Sequence, residues 1–329
     1  MGFSREYVLF SPSGMEITLL ETGASLVGVK AADRHGAFAN VALPLKGPDD
    51  ISCAGATIAP YAGRIARGLM EIDTKTYPLS LNEGKNHNHG GFHSLRDRPW
   101  RCEGQKEAAQ YQEITFSGEL CDGTDGYPGN RRFTVTYRLW RHQQIEILLT
   151  AQTDRPTRVN LTNHAYFNLS GDFAQDISRH LLTLNAHTVY INDDEFLMID
   201  RQPPPDVLDF SRERTIGVSC DHPQIARARG LNHCYILSKE AHTPAATLIC
   251  PESGRRMLLY TDQPCLMVYS GGYLDTPNSA ITFEALEHPL SPCAEQPPVL
   301  YPGETYTRRI VYQFDTLPAS AQPKRATAK

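Results

Sequence analysis

An all-β fold, a large antiparallel β-sandwich, is predicted from the pattern of apolar residues and from the turn-forming residues. Most apolar stretches alternate with polar residues at a period of two, which is typical of a strand with one buried face. The 329 residues include 24 glycines and 23 prolines, which suits many turns between short strands. No pattern of period 3.6 extends beyond two helical turns with both capping signals, so few helices are expected.

The individual strands follow from local alternation and β-propensity. Residues 132–140 read RFTVTYRLW and place four apolar side chains on one face, and residues 145–154 form a second predicted strand after a short polar connection. A hairpin is predicted over 246–262, because residues 251–254 (PESG) separate two β-rich runs. Further strands are predicted at 16–31, 180–191, 265–270 and 307–314.

The chain is predicted to form one domain over residues 1–316. A nominal domain of about 150 residues would divide the chain in two, but β-sandwiches are often longer as single units. The sequence shows neither an internal repeat nor a composition break that would mark a linker. Residues 317–329 are polar, small and basic, and we expect them to be a disordered tail.

Composition and charge exclude several classes of partner. Lysine and arginine number 32 against 37 aspartates and glutamates, and this net charge of −5 gives no reason to expect nucleic acid. The sequence carries no apolar run of 18 residues and no signal-peptide pattern, so we expect no membrane partner and a cytoplasmic location. None of the eight cysteines forms a CxxC pair, and we expect buried free thiols rather than a disulfide framework.

The usual motifs for cofactors and hydrolytic catalysis are absent. No GxSxG, GxxxxGK[ST], GxGxxG or HExxH pattern occurs, so no cofactor is predicted. His87, His89 and His93 in NHNHGGFH lie close enough in sequence to be metal ligands. No neighbouring cysteine or acidic residue completes a usual set, and no metal is predicted. A polar turn with surface histidines is the alternative, although Gly90 and Gly91 would let a ligand approach the bare backbone beside His89.

Five segments in sequence order carry a resemblance to a known family. They are YAGRIARG (61–68), NHNHGGFHSLRDRPW (86–100), DGTDGYPGN (122–130), LTNHAYFNLSG (161–171), and ITFEALEHPLSP (281–292) followed by LYPGETYTRRIVYQF (300–314). Together they resemble the aldose 1-epimerase (galactose mutarotase) family, which also has the spacing between Arg64 and His89. The resemblance covers about 250 residues and implies a large antiparallel β-sandwich with its site in a concave face.

The implied reaction interconverts the α- and β-anomers of an aldose, and its chemistry needs one acid and one base. A base removes the proton of the anomeric hydroxyl while an acid protonates the ring oxygen, and ring closure reverses both transfers. Histidine suits the acid because its ordinary pKa is about 6.5. The resemblance implies that His164, in TNHAYFNL, is the acid. From its segment alone, a histidine packed in the core remains an alternative interpretation.

Glu284 is the predicted base. It interrupts an apolar run, where a buried carboxylate is costly unless it is paired or used. The family has its glutamate five residues before a proline, and Pro289 stands five residues after Glu284. We therefore expect the rival, Glu287, to be a surface residue. We expect His164 and Glu284 to face each other across a hexose-sized hollow.

Arg64 and His89 are predicted to bind the sugar, with a structural salt bridge as the alternative for Arg64. Three positions depart from the family pattern. Asn232, in GLNHCYIL, stands where an aspartate is usual, Met267, in CLMVYSGG, replaces a glutamine, and Gly63 replaces an asparagine. We expect Asn232 and Met267 to contact the substrate and the three changes to alter its specificity.

The sequence therefore predicts an aldose 1-epimerase (mutarotase) that acts on a small-molecule sugar, with non-standard specificity. Galactose or glucose is an assumption, and an anionic sugar paired with Arg64, Arg67 or Arg96 is open. A non-catalytic carbohydrate-binding protein of the same fold is the first alternative, because a fold alone does not fix activity. A lyase on a similar sandwich is the second. The oligomeric state is not indicated by the sequence.

Overall fold

The computed structural model describes residues 4–45, 52–217, 222–238, 240 and 242–318. Strands dominate these ranges, with one six-residue helix, α1 (Pro223–Ala228), and single 3₁₀ turns at Ala66–Gly68, Leu95–Asp97, Thr124–Gly126 and Asp206–Leu208. The prediction of few helices is therefore confirmed for the described residues. None of their helices is long and apolar enough to cross a membrane.

The strands are short, and many of them span only two to five residues. In chain order they are β1 (Glu6–Phe10), β2 (Glu16–Leu20), β3 (Ser25–Ala32), β4 (Phe38–Asn40), β5 (Thr57–Ile58), β6 (Arg64–Ile65), β7 (Leu69–Ile72), β8 (Lys75–Pro78), β9 (His87–Asn88), β10 (Arg101–Glu107), β11 (Tyr111–Leu120), β12 (Arg131–Trp140), β13 (Gln144–Thr153), β14 (Thr157–Arg158), β15 (Thr162–Asn163), β16 (Tyr166–Phe167), β17 (Leu181–Leu184), β18 (Ala186–Asn192), β19 (Met198–Gln202), β20 (Arg214–Thr215), β21 (Asn232–Leu237), β22 (Ala246–Ile249), β23 (Arg255–Thr261), β24 (Cys265–Tyr269), β25 (Ile281–Leu286), β26 (Val299–Leu300) and β27 (Tyr306–Thr316).

Two large sheets organise the molecule. A nine-stranded sheet has the order β10-β11-β12-β13-β27-β23-β22-β17-β20, and a six-stranded sheet has the order β16-β25-β24-β21-β18-β19. A four-stranded sheet, β1-β2-β3-β4, and four two-stranded pairs complete the topology of the described residues. The pairs within the large sheets are antiparallel. The predicted all-β antiparallel sandwich is confirmed.

The main hydrophobic core joins the facing sides of the two large sheets. Phe133 and Val135 of β12 belong to the same buried cluster as Val268 of β24 and Phe283 and Ala285 of β25. Because successive strand residues point to opposite faces, this packing turns the residues between them to the other face of the six-stranded sheet. That other face carries the candidate site.

Most strand predictions are confirmed, and two are wrong in one respect. The predicted segment 16–31 is a hairpin rather than one strand, because the chain turns between β2 and β3, where Gly23 and Ala24 have φ of 67° and 43°. The predicted segment 180–191 is broken at Asn185, because β17 belongs to the nine-stranded sheet and β18 to the six-stranded sheet. A chain that passes from one sheet to the other must leave the backbone hydrogen bonds of the first sheet, so the segment cannot be one continuous strand.

The cysteine and tail predictions have different outcomes. None of the seven described cysteines forms a disulfide: four are buried, Cys102 and Cys293 are partly buried, and Cys121 is exposed, against the expectation of burial. Cys220 lies outside the described residues. Residues 317 and 318 are described, whereas residues 319–329 of the predicted tail are not. The single domain over 1–316 stays a prediction.

Candidate active site

His164 is held between two very short strands by hydrogen bonds on both sides. Its backbone N–H donates to the carbonyl of Ala56 at 2.8 Å, and its carbonyl accepts from Gly55 N–H at 3.0 Å. The neighbouring Asn163 is buried, and its amide donates to the carbonyl of Gly55 at 2.8 Å and to the Tyr137 hydroxyl at 3.1 Å. Buried, satisfied polar groups of this kind fix the direction in which the imidazole points.

Glu284 faces away from the core because its neighbours face into it. Phe283 and Ala285 are core residues, so the alternation of β25 turns the Glu284 carboxylate to the opposite face of the sheet. There, Oε1 of Glu284 lies 3.4 Å from Nε2 of His164. The two residues are only 4% and 5% exposed, yet both line one cavity. The expectation that they face each other across a hollow is therefore wrong, since they are direct neighbours on one wall.

The pair retains free hydrogen-bonding capacity toward the cavity. Within the described residues, Nδ1 of His164 and Oε2 of Glu284 have no hydrogen-bond partner. Burial raises the pKa of the Glu284 carboxyl, while the positive charges of His164 and Arg64 act in the opposite direction. A buried carboxylate with a raised pKa and a free oxygen is well suited to accept a proton from a bound ligand.

His89 lies beside this pair as a neutral hydrogen-bond donor. Its ring centroid is 5.5 Å from that of His164. Burial lowers the pKa of His89 well below its usual value, and the charges of His164, Arg96 and Arg64 lower it further. Gly63 donates its backbone N–H to Nδ1 of His89 at 3.2 Å. A neutral imidazole has one acceptor nitrogen and one N–H. Since Nδ1 of His89 is the acceptor here, Nε2 carries the proton and can donate it.

The backbone beside His89 packs closely against other segments of the chain rather than against space for a ligand. His89 has a φ of 47°, and Gly90 and Gly91 follow with φ of 81° and 92°. A Cβ on Gly90 would lie 2.7 Å from Pro60, and one on Gly91 would lie 2.5 Å from Asp125. The interpretation that these glycines leave room for a ligand is therefore wrong, since other segments of the chain fill that space.

Arg64 combines the two roles that the sequence left open. Its Nη2 donates to Oε1 of Glu83 at 2.9 Å, and its Nε donates to the other carboxylate oxygen. The same arginine lines the cavity, and its guanidinium lies 5.3 Å from the ring centroid of Phe196. Glu83 also accepts from the amide of Asn88 at 3.0 Å. The salt bridge therefore orients the fork of Arg64 rather than removing it from the site.

Asn232 and Met267 lie on neighbouring strands of the same wall. Met267 is the register partner of Glu284 in the β24–β25 pair, and Asn232 is the partner of Tyr269 in the β21–β24 pair. Both residues line the cavity and are at least nine-tenths buried. Gly63 has open space around the position of a Cβ. The structure thus brings all the predicted site residues into one cavity of about 760 Å³.

Several cavity residues were not found from the sequence. Glu83 holds Arg64, and Asn88 in turn donates to Glu83. Asn88 lies within the quoted segment 86–100 and Glu83 lies three residues before it, so proximity to that motif was the available signal. Phe196 and Tyr273 belong to loops distant from the motifs and carry no local signal. Their position depends on how the loops after β18 and β24 return over the sheet.

Of the residues Arg96, Arg67 and Glu287, only Arg96 belongs to the cavity wall. Arg96 lines the cavity, whereas Arg67 is exposed and is not part of the wall. Glu287 is 3% exposed, which contradicts the expectation of a surface residue. It lies just after β25, where its backbone N–H donates to Oδ1 of Asn160 and its carboxylate accepts from Arg308 Nε at 2.6 Å. Burial raises the pKa of the Glu287 carboxyl, and the ion pair with Arg308 acts in the opposite direction. The residue is therefore buried as part of that pair, and it does not line the cavity.

The three clustered histidines do not form a ligand set. His87 is bonded to the carbonyl of Ser80 and the hydroxyl of Tyr127, and His93 is an exposed neighbour of Asp125. Among the described residues, the group with the spacing of metal ligands is instead His89, His164 and Glu284, whose ligand atoms lie within 4.8 Å of one another. Because the Gly63 N–H donates to Nδ1 of His89, the ring proton is on Nε2, which favours hydrogen-bond donation from Nε2 over metal ligation.

Comparisons with known proteins agree with this geometry. The family model described as aldose 1-epimerase matches residues 5–313. The aldose 1-epimerase of Escherichia coli (strain K12) is 31% identical, over 94% of this chain and 95% of that protein. The galactose mutarotase of Homo sapiens is 29% identical over 91% of each chain.

Solved structures give the same result. The GalM/aldose epimerase homologue from C. elegans superposes with a TM-score of 0.87 at 25% identity, over 96% of this chain and 100% of that chain. Galactose 1-epimerase from Lactobacillus acidophilus NCFM superposes with a TM-score of 0.84 at 26% identity, over 96% and 98%. The family resemblance of the five sequence segments is confirmed, and the chain belongs to the aldose 1-epimerase family of isomerases.

Proposed function

We propose that this enzyme interconverts the α- and β-anomers of an aldose, with Glu284 as the general base and His164 as the general acid. Glu284 takes the proton of the anomeric hydroxyl, and protonated His164 gives its proton to the ring oxygen. The C1–O5 bond breaks as the C1 carbonyl forms, and rotation about C1–C2 exposes the other face of that carbonyl. Closure returns both protons, so atoms and charges balance.

The observation that carries this proposal is the 3.4 Å separation of His164 Nε2 and Glu284 Oε1. The anomeric oxygen and the ring oxygen are both bonded to C1, so an acid and a base that act on them must converge on neighbouring atoms. Adjacent groups on one wall meet this requirement better than groups on opposite walls. Catalysis of this kind contributes about 10²–10⁴-fold for each proton transfer.

The surrounding residues support the same reaction. The Nε2–H of His89 is available to donate to a sugar oxygen, because Gly63 holds Nδ1. Positive Arg64 is paired with Glu83, and Arg96 donates to Asp97 at 2.8 Å. With both arginines neutralised by carboxylates, an uncharged aldose is favoured over the anionic sugar that the sequence left open.

A carbohydrate-binding protein without catalysis is the second candidate. It is favoured by the three positions that depart from the family pattern, Gly63, Asn232 and Met267, all of which line the cavity. The acid and base are nevertheless both present and adjacent. We therefore infer that these three departures change the substrate specificity and do not abolish the activity.

Exchange NMR of the anomers tests the proposal. The anomeric resonances of a panel of aldoses are followed with wild type, with Glu284→Gln and with Glu287→Gln as the matched control. We expect accelerated exchange with wild type and Glu287→Gln, and a loss of about 10²–10⁴-fold with Glu284→Gln. Sugar binding without acceleration would favour the non-catalytic candidate, and new cleaved or unsaturated products would favour a lyase.

We further propose that the enzyme works in the cytoplasm on a small-molecule sugar and without nucleic acid. The absence of a disulfide at the seven described cysteines supports a reducing compartment. The net charge of −5 supports the absence of a polyanionic partner.

A further inference from the structure

The order of side chains across the six-stranded sheet bears on the substrate. β25 lies between β16 and β24 in that sheet. The ring of His164 lies on the β16 side, with its centroid 5.0 Å from that of Tyr166, and Met267 lies on the β24 side as the register partner of Glu284. The three side chains therefore follow one another across the sheet as His164, Glu284 and Met267.

This order fixes which part of a pyranose lies over Met267, provided that the proposed function is correct. His164 acts on the ring oxygen and Glu284 acts on the hydroxyl of C1. The ring oxygen, C1 and C2 follow one another around the pyranose in the same order as His164, Glu284 and Met267 across the sheet, so C2 lies on the Met267 side of C1. The substituent at C2 is therefore the one that points toward Met267.

Among the described residues, the buried cluster around Met267 contains one hydroxyl, that of Tyr190, and this hydroxyl is already hydrogen-bonded to Nδ1 of His288. Met267 packs with Cys234, Cys265 and Leu286 in a buried cluster, and Leu286 and Met198 extend the apolar wall along the cavity. The register partner of Met267 on the far side is Cys234, whereas the amide of Asn232 belongs to the next row, opposite Tyr269. A hydroxyl directed at this wall would lose its water without a replacement donor or acceptor.

We propose that the preferred substrates are uncharged 2-deoxyaldoses, in which C2 carries only hydrogen against the thioether of Met267. The apolar contact between a methylene group and methionine needs no polar partner. Aldoses with a hydroxyl at C2 enter the same cavity but leave that hydroxyl unsatisfied. The preference concerns C2 alone, because no other ring position lies over Met267 in this arrangement.

Matched pairs of sugars test the preference. The value of kcat/KM for anomer exchange is measured for 2-deoxy-D-glucose against D-glucose and for 2-deoxy-D-galactose against D-galactose, each corrected for uncatalysed exchange. The control pair is 6-deoxy-D-galactose against D-galactose. We expect the 2-deoxy sugars to be favoured by about 10-fold or more, with no comparable preference in the control pair.

Two variants at one position link the preference to the proposed contact. Met267→Gln supplies a donor and an acceptor, and we expect it to lower the ratio of 2-deoxy to parent kcat/KM by about 10-fold. Met267→Leu keeps the wall apolar, and we expect it to retain the wild-type ratio. Because the readout is a ratio within one protein, a general loss of activity in either variant does not affect it.

The outcomes separate this inference from the function on which it rests. If no aldose exchanges faster with wild-type enzyme, the proposed function is wrong and the substrate preference falls with it. If exchange is accelerated but the 2-deoxy sugars are not favoured, the function stands and the inference is wrong. A ratio that is the same in wild type and Met267→Gln also overturns the inference.

Discussion

The imidazole of His164 and the carboxylate of Glu284 are in direct contact range, with Nε2 3.4 Å from Oε1, although they belong to distant segments of the chain. Neither segment places its group alone: Asn163 ties the first to Gly55, and the core packing of Phe283 orients the second. The charge of His164 lowers the pKa of the Glu284 carboxyl and so opposes the effect of burial, which raises it. The stability of the site and its reactivity therefore depend on the same pair.

Replacement of Glu284 by glutamine is expected to stabilise the fold at neutral pH while it abolishes the proposed catalysis. Burial raises the pKa of Glu284 above its usual value of 4.5, and Oε2 has no partner in the described residues. A carboxyl with a raised folded-state pKa loses stability as the pH rises from 4.5 through the folded pKa. Glutamine does not titrate, so the gain in Tm should be full above that pKa and absent below 4.5.

Thermal unfolding of wild type and Glu284→Gln from about pH 4 to pH 8 measures this effect. The proposed role predicts opposite signs for the two readouts, a higher Tm and a lower kcat at neutral pH. A Tm that falls by the same amount at every pH would show that Glu284 is a structural hydrogen-bonding residue instead.

Replacement of Glu287 by glutamine is expected to affect stability and leave the chemistry intact. The Glu287 carboxylate is buried and bonded to Arg308, and it does not line the cavity. Removing its charge takes away the ion-pair partner of Arg308, but burial raises the pKa of the Glu287 carboxyl despite that pair, so the net loss of unfolding free energy should stay below about 3 kcal/mol. Chemical denaturation measures this loss, and anomer exchange at a temperature where the variant is folded should match wild type. A selective loss of kcat would make Glu287 the base.

The sequence was sufficient for the fold class and for the identity of the acid and base candidates. Alternation is regular in β12, which buries one face, and it is interrupted in β13 and β27, where Glu146 and Val311 are buried as well as their neighbours. The expectation that Glu287 is a surface residue came from the spacing of the family glutamate to a proline, and it fails because a side chain just beyond a strand end can be buried by an ion pair with a residue on another strand. The sequence pattern contains no information about such a distant partner.

The shape of the cavity was less predictable than its chemistry. The adjacency of His164 and Glu284 depends on the order of β16 and β25 in the sheet, which local patterns do not encode. The roles of Gly90 and Gly91 were misread because their close neighbours, Pro60 and Asp125, come from elsewhere in the chain. Residues whose position is set by tertiary packing are therefore the ones that needed the structure.

A buried histidine outside the site should make the fold sensitive to acid. His180 is 3% exposed, and its Nε2 accepts from the backbone N–H of Leu169 at 3.1 Å. Burial lowers the pKa of His180 to about 4. The unfolded chain binds the proton below about pH 6.5, so stability should fall as the pH decreases from 6.5 to 4 and level off below it.

The full effect corresponds to about 3 kcal/mol, since each pKa unit is about 1.4 kcal/mol. His180→Gln keeps a hydrogen-bond acceptor for Leu169 without a titratable group, and we expect its unfolding free energy to change less over that pH range. Denaturation curves of both proteins at several pH values provide the measurement. Equal pH dependence in the two proteins would mean that the pKa of His180 is the same in the folded and unfolded states.

The carboxylate of Glu83 should control both the binding of the sugar and the pH dependence of the reaction. It fixes the guanidinium of Arg64 through two hydrogen bonds, and Arg64 lowers the pKa of Glu284 by its charge. In Glu83→Gln the charge of Arg64 is no longer neutralised, so it stabilises ionised Glu284 more strongly. The acid limb of the pH–rate profile, where Glu284 becomes protonated, should then move to lower pH.

In Glu83→Gln the guanidinium of Arg64 is no longer held in one orientation. This change should also raise KM by about 10-fold, because an arginine that is free to rotate binds the sugar less well. Steady-state exchange rates at several sugar concentrations and pH values separate the two effects. Asp97→Asn, which removes the carboxylate beside Arg96 at an exposed position, is the matched control and should leave the KM and the acid limb near those of wild type. A Glu83→Gln enzyme with a raised KM and an unmoved acid limb would restrict Glu83 to positioning Arg64. If neither value changes, Arg64 does not act on the sugar through its pair with Glu83.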